Sequence, residues 1–201
     1  NFTKSPIITL RNPLPVDTVF ESSGTDEGYI LYFGRLSPEK GVSTLIQAAK
    51  LCGCRLVLLG TGPQEEELKA MAEGSSNIEF KGFQTGDALK NYVRNCRCVV
   101  MPSACYENGP YSAMEAMSMG KPLIVSGNGG LPELVEADVN GYIYTQGPEE
   151  LADCIGRMLA FFKEDYRTMN QNALKKAKCM FDADIYVENI EKRYCEIKEA
   201  K

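Results

Sequence analysis

Short apolar runs alternate with segments of helical period along most of the chain. The runs Tyr29–Phe33, Leu56–Leu59, Ile78–Phe80, Val99–Met101, Leu123–Val125 and Tyr142–Tyr144 have strand length and are separated by helical patterns. Val42, Leu45, Ile46 and Ala49 recur at i, i+3, i+4 and i+7, one face of a helix. Leu151, Cys154, Ile155, Met158, Leu159 and Phe162 repeat that stripe. Shorter helices are predicted over 64–73, 86–95, 110–119 and 132–136, where Pro63, Pro110 and Pro132 stand near the starts and their missing N–H costs little. Beyond Tyr144 the chain reads as helical, ending on the stripe Tyr186, Ile190, Tyr194 and Ile197.

Strands alternating with crossover helices imply a parallel sheet, because right-handed βαβ units connect parallel neighbours. The predicted fold is therefore α/β, a Rossmann-like, doubly wound, parallel six-stranded sheet with helices on both faces and a helical C-terminus. Residues 1–28, with the apolar run Ile7 to Leu10 followed by Asn12-Pro13, Pro15 and a Ser/Gly/Asp stretch, read as a leading strand and linker. Residues 29–180 form the Rossmann-like domain and 181–201 a C-terminal helix. In this architecture the first and fourth strands are neighbours where the winding reverses, and ligands bind beyond the carboxyl ends of the strands there. The loops after strands one, four and five are the places to search.

Composition narrows the chemistry. The 201 residues are 44% apolar and 24% charged with a net charge of −5, and they lack the clustered Lys/Arg excess of nucleic-acid or anionic-membrane binders. No apolar run approaches the roughly 18 residues of a membrane helix. Histidine is absent, which removes the commonest general base and metal ligand and leaves carboxylates, Lys and Arg. The eight cysteines contain no C-x-x-C pair and are read as buried, reduced thiols of a cytosolic protein; a zinc site is the alternative, with two C-x-C pairs that do not match the usual ligand spacing. The chain begins at Asn1 without a Met or a basic-then-apolar leader, from which an internal start is expected. The Asn1-Phe2-Thr3 sequon is read as accidental.

Gly34-Arg35-Leu36-Ser37-Pro38-Glu39-Lys40-Gly41 puts two cations in the loop after the first strand. It is either a solvated turn or a phosphate site, since cations at an already positive helix start suit a diphosphate. After the fourth strand, Pro102 to Pro110 carries Glu107, and the helix that follows carries Glu115 between core methionines Met114 and Met117. A carboxylate there needs donors, either Lys121 or the backbone, or a pair of vicinal hydroxyls on a ligand. After the fifth strand, Gly129-Gly130 permits close backbone approach. Gly60-Thr61-Gly62-Pro63 follows the second strand and lacks the third glycine of a dinucleotide fingerprint. Together the three loops offer one crevice two cations, two carboxylates and free amides, a set that fits a nucleoside diphosphate joined to a polyhydroxylated group, with no metal required.

Five segments in order, YFGRLSPEKGVSTLIQAA, LVLLGTGP, IEFKGF, VMPSACYENGPYSAMEAMSMGKPLIVS and GGLPELVEADVNGYIY, resemble the C-terminal, donor-binding domain of GT-B fold glycosyltransferases of family 4, the retaining group 1 set. The resemblance covers roughly Tyr29 to Tyr144. It implies that Arg35 and Lys40, with Gly34 beside them, meet the donor diphosphate. Glu107 and Glu115 look like the family's E-x7-E pair, the first near the transferred sugar and the second on the ribose. Asn108, Gly109, Tyr111 and Ser112, around the amides after Gly109, and the Gly129–Gly130 turn resemble sugar and phosphate contacts, while Gly82 and Phe83 resemble the backbone that meets the base. Pro110 stands where many members have glycine, so the amide expected there is missing.

The resemblance further implies a nucleotide-sugar donor, a glycan or lipid-linked acceptor, no nucleic-acid partner, no cofactor and no metal. Glu107, Arg35 and Lys40 would be the catalytic set. Retention would proceed with the departing phosphate deprotonating the acceptor. An N-terminal acceptor domain would complete the cleft, residues 1–28 would be the interdomain linker, the Tyr186/Ile190/Tyr194/Ile197 stripe would pack on that domain, and an isolated donor half would be inactive. A cytoplasmic location follows, with any membrane contact made through the other domain. Two further readings stay open, a non-catalytic nucleotide-binding module and a sugar-nucleotide epimerase of the same fold. Asp182-Ala183-Asp184 imitates a metal-binding D-x-D but is read as a helix N-cap.

Overall fold

The structure, a computed structural model, describes residues 10–22 and 24–199. Strands and helices alternate as β1 (Ile30–Phe33), α1 (Val42–Cys52), β2 (Leu56–Leu59), α2 (Glu65–Met71), β3 (Ile78–Phe80), α3 (Gly86–Asn95), β4 (Cys98–Met101), α4 (Tyr111–Ser118), β5 (Leu123–Ser126) and β6 (Gly141–Tyr144). Three helices follow, α5 (Gly147–Ala160), α6 (Lys163–Phe181) and α7 (Ala183–Glu199). The sheet runs β3-β2-β1-β4-β5-β6. Its ladders are parallel, with β1 paired to β2 through Ile30↔Leu56 and to β4 through Ile30↔Cys98.

Successive strand side chains point to opposite faces, and both faces are covered. Ile30 and Tyr32 of β1 enter one cluster with Leu45, Ile46, Ile155 and Met158; Leu31 and Phe33 enter the other with Met114, Met117, Leu131 and Phe181. Each such Leu or Ile contributes about 1.5–3 kcal/mol by leaving water. The expected N-cap is present at Asp182, whose Oδ1 accepts the N–H groups of Asp184 and Ile185 and opens α7.

Three expectations need correction. Phe162 is not on the α5 stripe: α5 ends at Ala160, and Phe162 stands just before α6 with 82% of its surface exposed while Phe161 packs on the core instead. The helix expected at 132–136 is a 3-10 turn, Leu131–Leu134, because Val135 is already extended. The cysteines are unpaired, but Cys52, Cys179 and Cys195 are exposed and only Cys54, Cys96, Cys98 and Cys154 are buried. The leading strand at 7–10 falls, apart from Leu10, outside the described residues.

The segment from Leu10 to Gly28 forms no strand among its described residues and is strapped along the domain by its backbone. Leu14 N–H donates to Phe181 O (2.8 Å), Glu21 N–H to Ser118 O (3.1 Å) and Glu27 N–H to Asn95 O (2.8 Å). At the amino ends of the strands it meets a buried ionic node. Arg97 donates from Nε to Met158 O (3.1 Å), from Nη1 to Asp26 Oδ2 (3.0 Å) and from Nη2 to Phe161 O (2.8 Å). Its guanidinium lies 3.7 Å from the centre of the Tyr166 ring. Beside it, the fully buried Lys121 donates to Thr25 O at 3.0 Å, and burial lowers the pKa of its ammonium.

Arg97→Ala is expected to destabilise the fold by about 3–5 kcal/mol, because Asp26 loses its buried partner and two carbonyls lose their donor. Urea unfolding measures the loss. Arg97→Lys should recover little of it, since one ammonium cannot span the acceptors a planar guanidinium reaches.

Candidate functional site

The winding reverses between β1 and β4, so the loops leaving their carboxyl ends lie side by side. The loop after β1 is held from below. Gly34 N–H donates to Leu59 O (3.0 Å), Leu36 N–H to Thr61 O (3.0 Å), and the buried Tyr32 hydroxyl to Arg35 O (2.7 Å). Its second half, Pro38–Lys40, is a 3-10 turn ending on Gly41 at φ +65°. A Cβ on Gly41 would stand 2.0 Å from Pro102 O in the loop after β4. The same contact is stitched by Ala104 N–H to Glu39 O at 2.9 Å. Glycine at 41 is therefore needed twice, for the left-handed turn and for the close approach.

This junction brings together two charges far apart in sequence. Lys40 Nζ lies 2.6 Å from Glu107 Oε1, and the Ser103 hydroxyl donates to the same oxygen at 2.8 Å. Glu39 does not compete for Lys40 within this pair. Ser37 Oγ donates to it at 2.6 Å, and that bond is the main reason its carboxyl titrates below the usual range. Ser103 is fixed in turn, its carbonyl accepting from Ser126 Oγ (2.7 Å) and Asn128 Nδ2 (2.9 Å).

A cleft of about 310 Å³ is bounded by Gly34 and Arg35 on one side, Phe83 and Gln84 on another, and Ser112 and Glu115 of α4; Lys40 and Glu107 do not line it, so the single crevice expected to hold all four charges is not what forms. Glu115 is half-buried and its carboxyl hydrogen-bonds none of the described residues; burial raises its pKa, opposed by the charge of Lys90. The expected alternative, a pairing with Lys121, is overturned, because that ammonium is spent on Thr25 O. Gly82 stands at the rim with φ +65°, its carbonyl accepting Gly60 N–H at 2.7 Å, and Phe83 beside it is exposed.

The four charged side chains thus form two sets, Arg35 with Glu115 on the cleft and Lys40 with Glu107 in an ion pair, joined by the Gly34–Gly41 loop. The Gly129–Gly130 turn lies against the Glu107 backbone. A Cβ on Gly129 would come within 2.6 Å of Glu107 N, and Gly130 N–H donates to Glu107 O at 2.7 Å. That amide is committed to the loop and is not one of the free amides expected here. Asn108 and Gly109 border a different, smaller cavity of about 90 Å³ beside Arg11 and Phe181. Tyr111 opens α4 behind Pro110, and no side chain caps that helix, so its first N–H groups point outward without an intrahelical partner. Among the described residues no group of three or more Cys, Asp or Glu is arranged to hold a metal ion.

Tyr32, Ser103, Ser126 and Asn128 escaped the sequence reading. Their signal was positional: Ser103 and Ser126 stand at the carboxyl ends of adjacent strands, where side chains meet the crevice.

The sequence model of the family described as Glycosyl transferases group 1 matches residues 17–176. An uncharacterized glycosyltransferase of Methanocaldococcus jannaschii is 35% identical over 143 residues, which are 67% of this chain and 36% of that protein. The lipopolysaccharide 1,2-N-acetylglucosaminetransferase of Salmonella typhimurium is 29% identical over 210 residues, covering 96% of this chain and 52% of that protein. Among solved structures, HepE of Anabaena in complex with UDP-glucose superposes with a TM-score of 0.77 at 26% identity, covering 93% of this chain and 57% of that one. The chain therefore spans between a third and somewhat over half of the length of these relatives.

Two outcomes follow from the site's construction. Gly41→Ala is expected to cost at least about 1–3 kcal/mol, from the left-handed backbone and the clash with Pro102 O, read as a lowered unfolding midpoint. Glu115→Gln is expected to stabilise the fold at pH 7 and to lose that advantage near pH 4. A carboxyl whose folded pKa is raised contributes stability below its unfolded value of about 4.3 and loses it as pH rises through the folded value. Thermal melts at the two pH values check this, and equal shifts at both count against it.

Proposed function

The chain belongs to the glycosyl transferases group 1 family, and from that premise we propose that it is the donor-binding half of a retaining enzyme that transfers a sugar from a nucleoside diphosphate sugar to a glycan or lipid-linked acceptor. The observation that carries this reading is that Arg35 and Glu115 line one cleft, while the loop that bears Arg35 also bears Lys40, ion-paired to Glu107. Membership of this family favours transfer over epimerisation.

Glu115 is the ribose contact in this reading: a half-buried carboxylate without a donor gains most from two vicinal hydroxyls. Phe83 and the neighbouring backbone offer a surface for the base. Arg35, Lys40 and the first amides of α4 face the diphosphate and stabilise the charge that develops as it departs, which assigns to the protein the neutralisation a metal would otherwise supply. Glu107 orients the transferred sugar. It is not the nucleophile; the departing phosphate takes the acceptor proton.

HepE has been solved with UDP-glucose, which makes uridine nucleotides the first probes. The acceptor side is assigned to a further domain, in keeping with the relatives' greater length. The exposed Tyr194 (71%) and Ile197 (59%) of α7 are assigned to the contact with it. No described helix is long and apolar enough to cross a membrane, and the unpaired cysteines suit a reducing compartment such as the cytoplasm.

Calorimetric titration with UDP, GDP and ADP tests the reading. Arg35→Ala and Lys40→Ala are each expected to weaken the preferred nucleotide about tenfold, the scale of one charge-assisted hydrogen bond. Unchanged affinity in both variants would overturn it.

A further inference from the structure

The donors on Glu107 converge on a single oxygen. Lys40 Nζ (2.6 Å) and Ser103 Oγ (2.8 Å) both bond Oε1, the Cys105 thiol adds a weak, long contact to the same atom (3.9 Å), and nothing among the described residues bonds Oε2. The donors differ in stiffness. Lys40 ends a flexible four-carbon stem and carries a charge that a diphosphate would draw toward itself. Ser103 is 1% exposed, has a single side-chain torsion, and is pinned through its carbonyl by Ser126 Oγ and Asn128 Nδ2. Because the terminal torsion of a glutamate is broad and two-fold, a carboxylate held by Lys40 alone would be free to turn once the ammonium shifts.

From this geometry we infer that Ser103 is a positioning residue that holds Glu107 Oε1 while Lys40 is handed over to the diphosphate, so that Oε2 is presented to a hydroxyl of the transferred sugar. The inference rests on the nucleotide-sugar reading above and adds to it the group that keeps the carboxylate in register. Ser126, the last residue of β5, and Asn128, in the loop after it, act through Ser103. These two side chains thereby support the sugar side of the site through Ser103.

The test is a double-mutant cycle read by calorimetry with UDP and UDP-glucose on the wild type, Ser103→Ala, Glu107→Gln and the double variant. Ser103→Ala should lower the ratio of UDP-glucose to UDP affinity about five- to tenfold and leave UDP itself within about twofold, because the lost hydrogen bond is to a charged group that only the sugar uses. In the Glu107→Gln background the same substitution should change the ratio by less than about twofold, since residues acting through one another are not additive. Asn128→Ala, which removes one donor from the Ser103 carbonyl, should shift the ratio in the same direction and by less, and it serves where Ser103→Ala fails to fold. An unchanged ratio in Ser103→Ala, or in Asn128→Ala where that variant stands in, overturns the inference alone, as do independent, multiplying effects in the cycle. A wild-type chain that binds neither UDP nor UDP-glucose overturns the nucleotide-sugar reading and this inference with it.

Discussion

The site depends on one backbone contact. Gly41 presses its bare Cα against the Pro102 carbonyl while the Glu39 carbonyl takes the Ala104 amide, and these two contacts weld the loop leaving β1 to the loop leaving β4. Without the weld, Lys40 and Glu107 would have no reason to meet, since 67 residues separate them along the chain. The ion pair is a consequence of the fold and not its cause. Partly buried charges pay heavily for lost water, and what makes their meeting tolerable is that backbone packing has already brought them into range and that Ser103 supplies a further donor.

The cleft follows the same logic at the next strand crossing. The glycines after β2 do not form a dinucleotide fingerprint; their loop lies under the Gly34–Leu36 segment, giving Leu36 N–H a partner in Thr61 O and Gly60 N–H a partner in Gly82 O. Three consecutive strand exits, β1, β2 and β3, are thus tied edge to edge by main-chain bonds, and Arg35 projects from the top of that rigid shelf. Glu115 arrives from the opposite wall on α4, whose Met114 and Met117 are locked in the core. One wall is set by loops and the other by a helix.

Much of this architecture was legible in the sequence. Short apolar runs and period-3.6 patterns located the six strands and the main helices to within a residue or two, and the alternation of strand and helix led to the expectation that the first and fourth strands are neighbours. Phe162 was misread because periodicity cannot see that the helix stops at Ala160; the next turn of an ideal helix carries the stripe onward where the chain bends. The two glutamates and two cations were visible as chemistry, three in loops and Glu115 on a helix, yet their division into a paired set and a cleft set was not. That division depends on which loop lies over which, and on Lys121 being consumed by Thr25, a partner 96 residues away in sequence. Ser103 was hidden for the same reason. A serine after a strand is ordinary until the carboxylate it faces is known.

The guanidinium at the foot of the sheet also has a temporal consequence. Its partners lie 61, 64 and 71 residues away, in the α5–α6 corner and the strapped N-terminal segment, so each of its bonds closes a long loop of chain. Whatever part of this clasp is still open in the folding transition state weighs on the reverse path, lengthening the half-life of the native state more than it changes the speed of reaching it.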